Sequence, residues 1–222
     1  MSRAEDARDP RHIVRTGYDR ASFAYRPDDA DAALPPFVDV LLARLPVGAA
    51  VLDLGCGNGL PVTRALADRF EVLGVDLSPV QIERARRLVP RARFEVADMT
   101  ELRLPAASLD AVVATYSFIH VPLVEQPPLL SRIAQWLRPG GFLVATVGAD
   151  AWTGTEDDWL GTGATMWWSH ADEVTYLRWL EEAGLRVLER TFVPEGAGGH
   201  VFVLAERPQK PAGRDAGASA SG

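Results

Sequence analysis

The sequence predicts an α/β protein built on a doubly wound, mostly parallel sheet with helices on both faces. Three observations carry this prediction. Short β-branched runs alternate with amphipathic helical stretches through the middle of the chain. Those runs are apolar at successive positions, as in strands buried on both faces. The last two strand-like runs are joined only by Pro194, Glu195, Gly196, Ala197, Gly198 and Gly199, too few residues for a parallel crossover, so they form an antiparallel hairpin.

The elements follow in order. Leu34, Phe37, Val38, Leu41, Leu42 and Leu45 recur at helical spacing, which predicts a helix over 34–45 entered through Pro35 and Pro36. Strands are expected at 50–54, 72–75, 93–96, 109–115 and 142–147, with helices at 61–69, 79–89 and 123–137 between them. The second of these helices has a defined start: Ser78 caps it, Pro79 suits its first position and Gln81 completes a Ser-x-x-Gln capping box. Residues 148–169 form a polar, tryptophan-rich insertion, followed by a helix over 171–183 that Gly184 ends. The closing hairpin takes strands 185–193 and 200–206.

Composition narrows the function classes. A chain of 222 residues, 47% hydrophobic and 24% charged, can bury a core as one domain. A formal charge of −7 repels nucleic-acid backbones and anionic membranes, so neither is an expected partner. Cys56 is the only cysteine, which excludes an internal disulfide, and no metal site is expected. No run reaches the ~18 apolar residues of a spanning helix and no secretory signal is legible, so a cytoplasmic protein is expected. The Ala-, Gly- and Ser-rich stretch 208–222 is expected to be a disordered tail.

The chemistry concentrates at strand ends. Val51, Leu52, Asp53, Leu54, Gly55, Cys56, Gly57, Asn58, Gly59 reads as a strand running into a glycine turn and then a helix. Dinucleotide enzymes use such turns to present bare amides to a pyrophosphate. Here Asp53 sits two residues before the first glycine and the spacing is GxGxG. A carboxylate there repels phosphate but suits an ammonium group. Asp76 ends the second strand, where an acid accepts from ribose hydroxyls. Asp98 and Met99 follow the third, placed for an adenine amino group and ring.

The segments VLDLGCGNG, VLGVDLSPVQIERAR, FEVADMTELRLPAASLDAVVATYSFIHV and LRPGGFLVATV together resemble the ordered motifs of class I S-adenosylmethionine-dependent methyltransferases. The resemblance implies a Rossmann-like seven-stranded, mostly parallel sheet of order 3-2-1-4-5-7-6 with strand 7 antiparallel, agreeing with the hairpin read independently. It implies S-adenosyl-L-methionine as cofactor, with S-adenosyl-L-homocysteine as product. Asp53, Gly55, Gly57, Asn58 and Gly59 would surround its methionine end. Asp76 would serve the ribose, Asp98 and Met99 the adenine, and Thr115, Tyr116 and Ser117 the methionyl group, with Leu77 and Gln81 as further cofactor-binding residues. It also implies an N-terminal lid bearing Tyr18, Tyr25 and Arg26. The chain then divides into a lid segment at 1–48, a cofactor-binding core at 49–148, an acceptor-side insertion at 149–170 and a last helix and hairpin at 171–207.

Ligands of open α/β sheets lie beyond the carboxyl ends of the parallel strands. The loops after the fourth and fifth strands and the tip of the closing hairpin share that edge. His120, His170 and His200 map there, and His200 or His170 is the expected general base. Trp152, Trp159, Trp167 and Trp168, with Glu195, are expected to wall a small-molecule methyl acceptor at an O, N or C atom. The expected assembly is a monomer or homodimer. A reading from another class stays open: a protein that binds the cofactor as a structural or regulatory ligand without transferring methyl groups.

Overall fold

The computed structural model describes residues 9–29, 32–196 and 198–209. Most of the stretch expected to be a disordered tail, 210–222, lies outside the described residues. Helix α1 (Pro10–Tyr25) comes first, then α2 (Val38–Arg44), β1 (Ala50–Leu54), α3 (Val62–Ala67), β2 (Glu71–Asp76), α4 (Pro79–Leu88), β3 (Arg93–Val96) and β4 (Leu109–Ala114). After two 3₁₀ turns come α5 (Gln126–Trp136), β5 (Leu137–Gly148), β6 (Trp152–Trp159), β7 (Ala164–His170), α6 (Glu173–Glu182), β8 (Arg186–Glu195) and β9 (Gly198–Glu206).

Seven strands form one sheet in the order β3-β2-β1-β4-β5-β9-β8. The pairings from β3 to β5 are parallel, and β9 runs antiparallel to both β5 and β8. This is the predicted order, with β8 and β9 in the places of the sixth and seventh strands. Its two faces are covered separately. Leu129, Leu130 and Ile133 of α5 pack with Tyr176 and Leu180 of α6 on one face, while Leu41, Leu66, Ile82 and Ala85 bring α2, α3 and α4 onto the other. Helices on both sides explain why β1 is buried throughout Val51–Leu54, Asp53 included.

Several boundaries shift for local reasons. The helix expected over 34–45 begins only at Val38, because Phe37 adopts a left-handed conformation at φ 69° that ends the Pro35-Pro36 approach. Pro61 sits before α3 rather than inside it. The 123–137 helix splits into a 3₁₀ turn (Leu123–Glu125) and α5. The largest difference is the insertion. Residues expected as irregular loop form a second, two-stranded sheet in which β6 and β7 pair antiparallel, with Trp152 opposite His170. This hairpin gains its stability from α1: Trp159 and Met166 are buried against Val14 and Ala21.

Buried Gln126 fastens these parts together. Its side-chain amide donates to the carbonyls of Phe118, Val121 and Ser169 and accepts from the Tyr176 hydroxyl. The turn after β4, the end of β7 and α6 are thereby locked to one side chain. All of its contacts are satisfied in an interior that penalises loose polar groups.

Candidate functional site

Three adjoining cavities open at the carboxyl ends of the parallel strands. The inner one, with about 630 Å³ of empty volume, lies between the ends of β1–β4 and helix α1, which covers it. Gly55, Asp76, Leu77, Asp98 and Met99 line it, as do Thr115, Tyr116 and Ser117. A Cβ on Gly55 would stand 2.3 Å from that of Ser117, so only glycine allows the two loops to close on each other.

Asp76 is held by the loops on either side of it. One carboxylate oxygen accepts from the Gly57 amide at 2.9 Å and the other from the Ser78 amide at 2.8 Å. Each oxygen keeps acceptor capacity toward the cavity. Burial, opposed by these two bonds, pushes Asp76 up to about 6. Asp53 lies deeper, 2% exposed, and takes the Thr63 hydroxyl at 2.5 Å; burial pushes it up to about 7. Burial would also raise Asp98, but hydrogen bonds from Thr100 and Arg11 outweigh it and hold the group below the usual carboxylate range.

The raised pair has a consequence for stability. Between pH ~4 and ~7 the folded protein keeps protons that an unfolded aspartate, at 3.8, has released. Their contribution is therefore full below 3.8 and is lost as pH rises through 6 and 7. An Asp53→Asn variant lacks the Asp53 part of this loss. Its melting temperature relative to wild type should rise by roughly 5 °C on moving the ligand-free proteins from pH 4.5 to 7.5. An offset equal at both pH values would contradict the raised carboxyl.

A second cavity, around the glycine turn, is bordered by Asp53, Arg26, Asn58 and Gly57 and shares Tyr25 and Tyr116 with the first. Asn58 is spent on structure: its amide donates to the Arg26 carbonyl, and its oxygen accepts from the Leu60 amide. Gly59 lies away from both cavities, packed against Val89 and Phe94. Its role is helix-to-strand contact, a correction to the expected ligand contact. Gln81 is corrected too. It lies 1% exposed, outside the cavities, and accepts from the Ser22 hydroxyl. Half of the expected capping box forms, with Ser78 Oγ accepting from the Gln81 amide, while Gln81 reaches instead to α1. Cys56 is buried, and burial drives its thiol well above the ordinary value, which disfavours the thiolate.

The third and outermost cavity joins the hairpin β6–β7, the β8–β9 tip and α1. Tyr18, Tyr25, Tyr116 and His120 line both it and the inner cavity. Trp152, Trp159 and Trp168 form its aromatic wall; Trp167 does not, because it packs into the α1 cluster and its carbonyl accepts from His120 Nδ1 at 2.7 Å. That bond leaves His120 Nε2 to accept from the Tyr18 hydroxyl at 3.0 Å. With both nitrogens engaged and burial pushing the imidazole down to about 4, His120, one of the three histidines mapped to this edge as catalytic candidates, is held as a neutral strut.

His170 and His200 both line the outer cavity, with ring centroids 6.2 Å apart. His170 Nδ1 donates to the Asp150 carbonyl, and burial lowers its affinity for a proton. His200 Nδ1 faces the Glu195 carboxylate at 3.1 Å, and the other Glu195 oxygen accepts from the Tyr116 hydroxyl at 2.5 Å. Tyr116 itself stands at φ 55°, a left-handed conformation rare for a tyrosine, which turns the chain sharply at the end of β4.

Sequence reasoning missed Arg11, which lines the inner cavity and pairs with Asp98 and Glu125. Its signal was present: Val14, Tyr18, Ala21 and Tyr25 fall at helical intervals, but the mixed charges around them hid the stripe. Asp150 and Glu156, which line the outer cavity, carried no motif at all. Among the described residues, no three His, Cys, Asp or Glu side chains gather to hold a metal ion, and no helix is long and apolar enough to cross a membrane.

The site fits S-adenosylmethionine and not a dinucleotide. Asp53 borders the glycine turn, where a pyrophosphate would require bare amides or cations, and Arg11 of the inner cavity is already committed to Asp98 and Glu125. Residues 51–141 match the methyltransferase domain family. The 27-O-demethylrifamycin SV methyltransferase of Amycolatopsis mediterranei (strain S699) is 39% identical over 129 residues, covering 52% of this chain and 47% of that protein. The trans-aconitate 2-methyltransferase of Variovorax paradoxus (strain S110) is 40% identical over 108 residues, covering 46% and 40%. The match thus spans less than half the length of these curated relatives. A solved S-adenosylmethionine-dependent methyltransferase from Mesorhizobium loti superposes with a TM-score of 0.61 at 26% identity, over 76% of this chain and 96% of that one. Sheet order, strand-end acids and the match over residues 51–141 make this chain similar to the class I S-adenosylmethionine-dependent methyltransferases and support S-adenosylmethionine as its cofactor.

Proposed function

We propose that the protein transfers a methyl group to an oxygen or nitrogen of a small molecule held in the outer cavity, with His200 as general base. The observation that carries this reading is the shared wall: Tyr18, Tyr25, Tyr116 and His120 border both cavities, so a ligand in one lies beside a ligand in the other. When bound, the cofactor supplies an electrophilic methyl group. Asp76 and Asp98 would hold its ribose and adenine sides, and Asp53 with the glycine turn its amino-acid end.

The chain's own work is alignment and proton removal. Glu195 accepts from His200 Nδ1–H, which selects the tautomer whose Nε2 carries a free lone pair. That nitrogen takes the acceptor's proton as the nucleophile reacts, and Glu195 stabilises the resulting imidazolium. Tyr116 holds the other Glu195 oxygen and so fixes the pair beside the wall between the cavities. His170, with one nitrogen donated to the Asp150 carbonyl and a lowered proton affinity, is the weaker candidate.

A direct test combines calorimetry with S-adenosylhomocysteine and a screen of small metabolites for release of that product. Micromolar binding together with acceptor-dependent release is expected. Binding without release from any acceptor would favour a non-catalytic cofactor-binding protein.

A further inference from the structure

We infer that the acceptor is a planar aromatic compound that enters the outer cavity without negative charge, and that carboxylate and phosphate substrates are rejected there. This deepens the proposed function and rests on the outer cavity being the acceptor site.

The aromatic side of the inference is the wall. Trp159 lies tilted by 34° against Tyr25 at 5.5 Å and meets Trp168 edge-on at 6.1 Å; Trp152 continues the row, 5.8 Å beyond Trp168. All of these residues line the cavity, and Trp152 is 47% exposed, so its indole is not consumed by internal packing. Indole and phenol rings in contact with open space offer π faces and edges to a flat ligand. They give little to a flexible aliphatic acid, whose gain would come from hydrogen-bonded cations.

The charge side is the cavity's acidity. Asp150, Glu156 and Glu195 all line it, and among the described residues no lysine or arginine does. Neither Asp150 nor Glu156 forms an ion pair with a described side chain, whereas Glu195 is taken up by Tyr116 and His200. Arg26 borders the glycine-turn cavity instead, its guanidinium 5.6 Å from the Tyr25 ring. Burial lowers the proton affinity of both His120 and His170, which works against positive charge on either. A carboxylate entering here would lose water and meet two unpaired carboxylates in return. An uncharged phenol or amine avoids that cost, and a cationic ring gains from both the acids and the tryptophan faces. A nucleophile that arrives still carrying its proton is the kind that needs a base such as His200.

The test measures binding to the S-adenosylhomocysteine-loaded protein, with four probes read by quenching of tryptophan fluorescence and by calorimetry. N-methylquinolinium, 2-naphthol and 2-naphthoate have similar bicyclic frames and differ in charge; trans-aconitate is an aliphatic trianion. N-methylquinolinium and 2-naphthol should bind at least about tenfold more tightly than 2-naphthoate, with trans-aconitate weakest. Trp168→Ala should cost the first two about tenfold. The double variant Asp150→Asn, Glu156→Gln should narrow the gap between cation and anion while leaving 2-naphthol within about twofold. Binding of 2-naphthoate or trans-aconitate as tight as that of 2-naphthol, an unchanged Trp168→Ala variant, or no binding of any probe at millimolar concentration would each overturn the inference. Because the readout is binding alone, a protein that ranks the probes as expected but releases no product would defeat the methyl-transfer reading and leave the cavity's selectivity standing.

Discussion

His200→Ala should lower kcat by about 10²- to 10⁴-fold, the usual range for loss of a positioned general base, while S-adenosylhomocysteine binds within about twofold of wild type. The imidazole lies in the outer cavity and outside the inner one, so cofactor affinity has no reason to change. The rate of the variant should climb with pH, as hydroxide takes over removal of the acceptor's proton. Glu195→Gln leaves the imidazole in place but replaces an accepting carboxylate with an amide, and a smaller loss of about tenfold to hundredfold is expected. Steady-state rates of S-adenosylhomocysteine release across pH decide the matter. If His200→Ala keeps wild-type kcat, the base lies elsewhere, and His170 is the next side chain to replace.

The second large effect concerns Asp76. Asp76→Asn should weaken S-adenosylhomocysteine binding by about 10- to 100-fold, since hydrogen bonds to a charged group contribute about 1.5–3 kcal/mol and an amide can accept from hydroxyls at only one atom. Folding should be largely spared, because the amide oxygen can still take one of the two backbone amides now held by the carboxylate. Burial sets this group at about 6, so wild-type affinity should fall as pH drops through 6 and the carboxylate gains a proton. The variant should show much less of that decline. Calorimetry at pH 5 and 7.5 reads both effects, and equal affinities for the two proteins at pH 7.5 would remove Asp76 from the cofactor site.

The legibility of this chain in its sequence follows what each segment buries. Strand β1 begins and ends at the predicted residues because a strand covered on both faces is written as a mostly apolar run ending in a glycine turn; β3 also matches its predicted bounds, although it is a sheet-edge strand in which only Phe94 is buried. Asp53, Asp76 and Asp98 were legible because each lies at or just beyond the carboxyl end of a strand, Asp53 two residues before the first glycine of its turn. The β6–β7 hairpin was not. Thr153, Gly154, Thr155, Glu156 and Asp157 leave one strand polar and mostly exposed, with neither apolar alternation nor a short hairpin turn to announce it. Its partner is α1, distant in sequence, and only that contact makes the tryptophans a wall. Gly59 and Gln81 were misassigned for the opposite reason. Both sit in ligand-binding motifs, yet a glycine can serve tight packing and a buried glutamine can serve a neighbouring helix, and sequence spacing does not separate those uses.

Helix α1 carries one more implication. Through Tyr18 and Tyr25 it borders both cavities, and through Arg11 it is tied to Asp98 at the closed end. A movement of α1 that lets the inner ligand out also dismantles part of the outer wall. The expected consequence is an ordered pattern, inner ligand first on and last off, with an outer ligand that braces Tyr18 and Tyr25 slowing its exchange; product-inhibition kinetics check it.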